Sequence, residues 1–184
     1  AVKRFRPGDA VWFCHGGLGG APGNYAEFTV LEEDEAEAMP PALDFTGAAA
    51  LPLVCITAWE ALFDRAGLST GQTVLIHAGA GGVGHVAIQL ARSAGARVAA
   101  TVSTPAKAEL VRELGAEQVI FYRQEDVSEA IMAWTGGTGV DVVLESTGFQ
   151  ELLEDAMGCV RAGGLSQGGK FVFEGWYPDT VTYD

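Results

Sequence analysis

Residues 73–84 read Thr-Val-Leu-Ile-His-Ala-Gly-Ala-Gly-Gly-Val-Gly, an apolar run that empties into a loop of the form G-x-G-x-x-G. No other stretch restricts the fold so strongly. The glycines are Gly79, Gly81 and Gly84. In a dinucleotide site the first allows a tight turn off a strand, the second lets backbone approach a pyrophosphate, and the third lets the next helix pack against the sheet. Such a motif means little in a chain with 25 glycines unless its context is right. Here Val74-Leu75-Ile76 supplies the strand, and Val86-Ala87-Ile88-Gln89-Leu90-Ala91 supplies the helix whose first amides face the phosphates.

The rest of the chain carries the alternation that such a loop requires. A turn at Arg6-Pro7-Gly8-Asp9 precedes a strand at Val11-Trp12-Phe13, and the alternating Tyr25–Val30 predicts a second strand after a glycine-rich hairpin loop, 16–20. Beyond Pro40-Pro41, Asp44 or Thr46 caps a short helix, and a second helix runs over 57–66. Strands over 73–77, 97–102, 118–121, 140–145 and 170–174 then alternate with helices over 83–94, 105–114, 126–134 and 149–160. The predicted fold class is α/β, a Rossmann-type doubly wound parallel sheet preceded by other β structure.

A net charge of −13 argues against nucleic acid and anionic membranes as partners. It does not argue against an anionic cofactor, because local amides and one or two cations govern a phosphate site. Glu32, Glu33, Asp34, Glu35 and Glu37 read as a solvated acidic loop; a contiguous run lacks the turn pattern of a metal-binding loop. Cys14, Cys55 and Cys159 are odd in number and widely spaced, with neither a disulfide framework nor a C-x-x-C pair. Adjacent Cys14 and His15 point to opposite faces of a strand. A reducing cytoplasm is the expected location, and no apolar run is long enough to span a bilayer.

Which nicotinamide dinucleotide fits is read at the second strand of the fold. Cofactor sites that prefer NAD place a carboxylate at its tip, about 20 residues beyond the glycines, for the ribose 2′-hydroxyl. Here Arg97–Val102 runs into Ser103-Thr104-Pro105-Ala106-Lys107, with no acid. A hydroxyl at Ser103 and an ammonium at Lys107 suit a 2′-phosphate, so NADPH is the expected cofactor. The competing reading makes Ser103 a helix cap and Lys107 a solvated lysine. His77 is expected to pack in the interior, and His85 to lie near phosphate without strong contact. Glu145 closes a strand where ligands collect, or simply faces water.

Four stretches together resemble the medium-chain dehydrogenase/reductases, and within them the zinc-independent quinone oxidoreductases of the zeta-crystallin-like group. They are Arg6–Val11, Tyr25–Phe28, Val74–Arg92 and Gly139–Gly148. The segment Val74–Gly84 followed by Gln89-Leu90-Ala91-Arg92 is also similar to enoyl reductase domains of polyketide synthases. The resemblance implies that Gly81, Gly82 and Val83 lie beside the pyrophosphate, with Gly79 and Gly84 completing the loop. It puts Ser103, Lys107 and Tyr122 around the 2′-phosphate and adenosine, Thr57 near the nicotinamide side, and Ser146 near the adenine end. It implies hydride transfer from NADPH to a quinone or an α,β-unsaturated carbonyl, with a small-molecule substrate and a homodimer of the full-length protein. The alternatives are a zinc-dependent alcohol dehydrogenase of the same superfamily and a non-catalytic NADPH-binding module.

Zinc-dependent relatives place a cysteine ligand where this chain has Leu53, two residues from Cys55, so no metal is expected. Residues 1–40 are expected to be part of a GroES-like β domain, and 41–184 a C-terminally incomplete Rossmann domain. Repeated glycine pairs within 161–169 suggest an insertion or a join, and the whole suggests a fragment of a longer protein. No catalytic residue emerges.

Overall fold

The computed structural model describes residues 2–15, 23–149, 151–163 and 168–173; of Glu151, Leu153 and Glu154 only the backbone is described. The 16–20 loop, Glu174 at the end of the expected last strand, and most of the glycine-paired stretch from Gly164 lie outside the described residues. The chain forms two compact units, residues 1–54 and 55–184.

In the first unit β1 (Val11–Phe13) pairs antiparallel with β2 (Ala36–Ala38), Val11 opposite Ala38. The partner of β1 is therefore not Tyr25–Val30, which is irregular and leaves Tyr25, Phe28 and Val30 exposed. An alternating pattern becomes a strand only where another backbone completes its ladder. Among the described residues none lies in register with this one. The acidic run is likewise more ordered than a solvated loop. Glu33–Glu35 make one 3₁₀ turn, closed by a capping box in which the Glu32 N–H donates to Glu35 Oε2 at 3.0 Å. His15 Nδ1 lies 2.9 Å from Glu35 Oε1. The backbone bond from Glu32, then the His15 bond, hold the Glu35 carboxyl below its ordinary range. α1 (Phe45–Ala50) starts at Asp44, whose carboxylate accepts the Gly47 N–H at 2.7 Å.

α2 (Pro52–Trp59) begins five residues earlier than the pattern suggested, because Pro52 suits a first helical position, where its missing N–H costs nothing. It passes into a π-helical turn over Glu60–Arg65. The second unit then alternates β3 (Thr73–Ile76), α3 (Gly82–Ser93), β4 (Arg97–Val102), α4 (Pro105–Leu114), β5 (Gln118–Phe121), α5 (Val127–Trp134), β6 (Val142–Glu145), α6 (Glu151–Cys159) and β7 (Lys170–Phe173). The five strands are parallel in the order β5-β4-β3-β6-β7. Relative to the first strand of the unit this is the 3-2-1-4-5 order of the doubly wound dinucleotide fold.

Both faces of the sheet are covered, which is why β3 and β6 are buried at every position and read as mainly apolar runs, broken only by Thr73 at the start of β3 and Glu145 at the end of β6. Leu75, Ala99, Ile120 and Val143 meet α5 and α6 through Val127, Ile131, Ala156 and Cys159. Ala100 belongs to the opposite face, with Ile88 of α3 and Val111 of α4 close by. Thr104 and Asp126 cap α4 and α5 by accepting the amides of Lys107 and Glu129, and Gly115 ends α4 as expected, at a left-handed φ of 117°. At the opposite end from the carboxyl tips, Asp141 Oδ2 accepts both the Thr73 N–H (2.8 Å) and its hydroxyl (2.9 Å), tying β6 to β3.

Candidate functional site

Chain order places the crevice between β3 and β6, where the connections leave in opposite directions, at the carboxyl ends of the strands. The glycine loop lies there. Its turn falls one residue earlier than expected, since the positive φ belongs to Ala78 (49°) and not to Gly79. Gly79 is needed for space: a Cβ there would sit 2.8 Å from the Ala100 Cβ and 3.2 Å from Ile88 Cδ1. Gly84 is needed for the same reason, its Cβ being 2.9 Å from the Gly79 Cα and 3.0 Å from the Ala78 carbonyl carbon. Gly81 and Gly82 are exposed. The motif thus divides into two buried packing glycines and two glycines open to a ligand.

Gly81 caps α3 without a side chain, and its N–H donates to the Ala78 carbonyl at 2.7 Å. The first amides of α3 belong to Gly82, Val83 and Gly84. Helix geometry leaves them without carbonyl partners in their own helix, and the helix dipole adds positive potential at that end. His85 donates from Nδ1 to the Gly81 carbonyl at 2.9 Å, so the imidazole braces the loop.

A cleft of about 110 Å³ opens beside the loop, lined by Ala78, Ala80, Gly81, Thr101, Val102, Ser103, Lys107 and Tyr122. It gathers Gly81, Ser103, Lys107 and Tyr122 from the tips of three strands. Ser103 is not the cap of α4; Thr104 takes that position, which leaves the Ser103 hydroxyl on the cleft wall. Lys107 stands exposed in the first turn of α4. A second, more apolar cleft of about 380 Å³ shares Ala78, Thr101 and Tyr122 and adds Thr147, Phe149 and Leu152. Thr57 sits half-buried on α2, and Ser146 follows β6 directly; neither lines these two clefts.

Thr101, Thr147, Phe149 and Leu152 escaped notice in the sequence. Thr101 is a buried hydroxyl inside an apolar strand, and a polar residue in such a run was the available signal. Glu145 is wholly buried, contrary to a carboxylate facing water. It accepts the Thr147 N–H at 2.6 Å and the Gly148 N–H at 3.3 Å, and the Thr147 hydroxyl as well, so it folds the loop after β6. His77 is buried as expected. Burial pushes its pKa down to about 4, with the Glu145 charge opposing.

A cradle that rejects Cβ atoms, free helix amides and flanking cleft walls define a nucleotide-binding Rossmann unit. The family model described as zinc-binding dehydrogenase matches residues 82–179. The chain belongs to this family, within the medium-chain dehydrogenase/reductase superfamily. It is 38% identical over 164 residues to a quinone oxidoreductase of Pseudomonas aeruginosa, covering 89% of this chain and 49% of that protein. The solved structure of an alcohol dehydrogenase superfamily protein from Novosphingobium aromaticivorans superposes with a TM-score of 0.86 at 40% identity, over 98% of this chain and 52% of that one. The CurK enoyl reductase superposes with a TM-score of 0.69 at 38% identity, over 76% and 40% of the two chains. The chain spans about half the length of the quinone oxidoreductase it matches.

The family name implies zinc. Here Leu53 is exposed on α2, and Cys55 is half-buried with its thiol pushed up by burial. Among the described residues no three His, Cys, Asp or Glu side chains come together as a metal would need. This donor set does not fit a zinc ion. The loop and clefts do fit a dinucleotide. None of the described helices is long and apolar enough to cross a membrane.

Proposed function

We propose that the full-length protein is an NADPH-dependent oxidoreductase that reduces a quinone or an α,β-unsaturated carbonyl. The observation that carries this reading is the meeting of Gly81, Ser103, Lys107 and Tyr122 around one cleft at the mouth of the glycine loop. The names of the quinone oxidoreductase and enoyl reductase relatives support the substrate class. When bound, the nicotinamide supplies the hydride. The chain's part is to bind and orient. Amides of Gly82, Val83 and Gly84 receive the diphosphate, and Ser103 and Lys107 offer a hydroxyl and an ammonium to the 2′-phosphate. Tyr122, Phe149 and Leu152 give the adenine ring an apolar wall. Thr57 is assigned to the nicotinamide side and Ser146 to the adenine end.

On the same reading residues 1–40 belong to a GroES-like β domain, residues 41–184 to the dinucleotide domain, and the protein acts in the cytoplasm as a homodimer. The test is a turnover screen of the full-length protein with NADPH against 1,4-quinones, 2-alkenals and, in the reverse direction with NADP⁺, primary alcohols. Oxidation of NADPH by quinones or enals supports the proposal. Activity on alcohols alone, with stoichiometric zinc, contradicts it.

A further inference from the structure

Two backbone amides at the mouth of the loop end on one residue of the neighbouring strand. The Gly79 N–H donates to the Thr101 carbonyl at 3.0 Å, and the Ala78 N–H donates to the Thr101 hydroxyl oxygen at 3.1 Å. Ala78 is the one non-glycine residue of positive φ among the described residues. An alanine enters that region only against steric resistance, so something must hold it there. The consequence of that turn is the aim of the Ala78 carbonyl. It accepts the Gly81 N–H at 2.7 Å, and it lies where side chains at Gly81 and Gly84 would collide. The hydroxyl that holds Ala78 is itself braced. His77 Nδ1 lies 3.4 Å from Thr101 Oγ1, while the His77 N–H donates to the Leu144 carbonyl of β6 at 3.0 Å. Thr101 and His77 are both buried, and His77 Nε2 has no hydrogen-bond partner. Among the described residues the one hydrogen-bond contact of the ring is therefore the Thr101 hydroxyl, so the imidazole and the hydroxyl orient each other.

We propose that Thr101 is a positioning residue whose hydroxyl holds Ala78 in the left-handed conformation and thereby shapes the mouth of the dinucleotide loop. The Thr101 carbonyl would hold Gly79 in any residue's hands; only the side chain distinguishes threonine from valine. The proposal rests on the dinucleotide reading above, and its test separates the two.

NADPH is titrated by calorimetry into the wild type, Thr101→Val, Thr101→Ser, Ala78→Gly and the double variant Ala78→Gly/Thr101→Val. Valine keeps the shape and removes the acceptor. It weakens binding roughly tenfold, as expected for one lost buried hydrogen bond. Serine keeps the hydroxyl and stays within about threefold of wild type on the same ground. Glycine adopts φ near 49° without strain, so the double variant recovers to within about threefold of Ala78→Gly alone. A residue needed only for core packing would show no such rescue. Unchanged binding in Thr101→Val, or no recovery in the double variant, overturns the proposal. If Thr101→Val does not fold, a folded double variant supports the proposal and an unfolded one overturns it. If the wild type binds neither NADPH nor NADH, the functional reading fails, and amide exchange decides the structural one. The Ala78 and Gly81 amides then exchange at least about tenfold faster in Thr101→Val while the slowest core amides do not; equal exchange at those two amides overturns the proposal.

Discussion

Gly84→Ala and Gly81→Ala separate the packing glycines from the ligand-facing ones. A Cβ at Gly84 would stand 2.9 Å from the Gly79 Cα and 3.0 Å from the Ala78 carbonyl carbon, where ordinary Cβ contacts begin at 3.4 Å. All of these neighbours are backbone of the tight turn, so no side chain can swing aside. The Ala78 carbonyl oxygen lies closer still, so α3 must retreat from the loop by about an ångström. Overpacking of this kind costs up to about 3 kcal/mol. In a chain of this size that lowers the melting temperature by roughly 6–12 °C. At Gly81 the nearest neighbour of an added Cβ is the Ala78 carbonyl oxygen at 3.0 Å, the next lies at 3.9 Å, and φ is −81°. Alanine there loses a favoured cap residue and costs about 1 kcal/mol. Yet its methyl group projects where a pyrophosphate must pass, so NADPH affinity falls at least about tenfold. Thermal melting by circular dichroism, paired with calorimetric titration, reads both quantities. A Gly84→Ala protein melting within a degree or so of wild type would refute the close approach of helix and loop. A Gly81→Ala protein that binds NADPH as wild type does would refute the placement of the phosphates.

Three further outcomes are expected. Lys107→Ala weakens NADPH by roughly tenfold while leaving NADH unchanged, because one charge-assisted contact to the 2′-phosphate is removed; equal affinities untouched by the mutation contradict the assignment. Phe149→Ala weakens both cofactors alike, by about three- to tenfold, since an apolar wall does not sense the 2′-phosphate; a loss confined to NADPH would move the adenine elsewhere. His77 has a folded pKa of about 4, below its ordinary 6.5, so on acidification the unfolded chain takes up the proton first. Its contribution is fully present above pH 6.5, declines by about 3 kcal/mol as pH falls to 4, and levels off below. Urea denaturation at stepped pH should show this loss, and His77→Asn should remove that part of it; identical slopes in both proteins contradict a neutral buried imidazole.

The architecture of the second unit was legible because the central strands β3, β4 and β6 are buried along nearly their whole length and read as short, mainly apolar blocks, while the edge strands β5 and β7 are only partly buried. Thr73–Ile76 and Val142–Glu145 are such blocks, and Gly115 marks the end of α4; the caps Thr104 and Asp126 show only in the structure. The first unit was less legible. Tyr25–Val30 has the strand pattern without a described partner, whereas Ala36-Glu37-Ala38 has little strand propensity and still pairs, since β1 supplies the backbone it needs. Within the site, Gly81, Ser103, Lys107 and Tyr122 were legible from motif and resemblance. Phe149 and Leu152 were not, because their place at the cleft depends on the loop that the buried Glu145 folds. Neither was Ala78 as the point of strain, since sequence patterns assign positive φ to glycine and Gly79 stood next to it.

Calorimetric titration of this chain with NADPH tests the central claim most directly. One binding site is expected, with weaker binding of NADH and a marked loss in Gly81→Ala. Absence of heat with both dinucleotides, or saturation that neither Gly81→Ala nor Lys107→Ala alters, would contradict it.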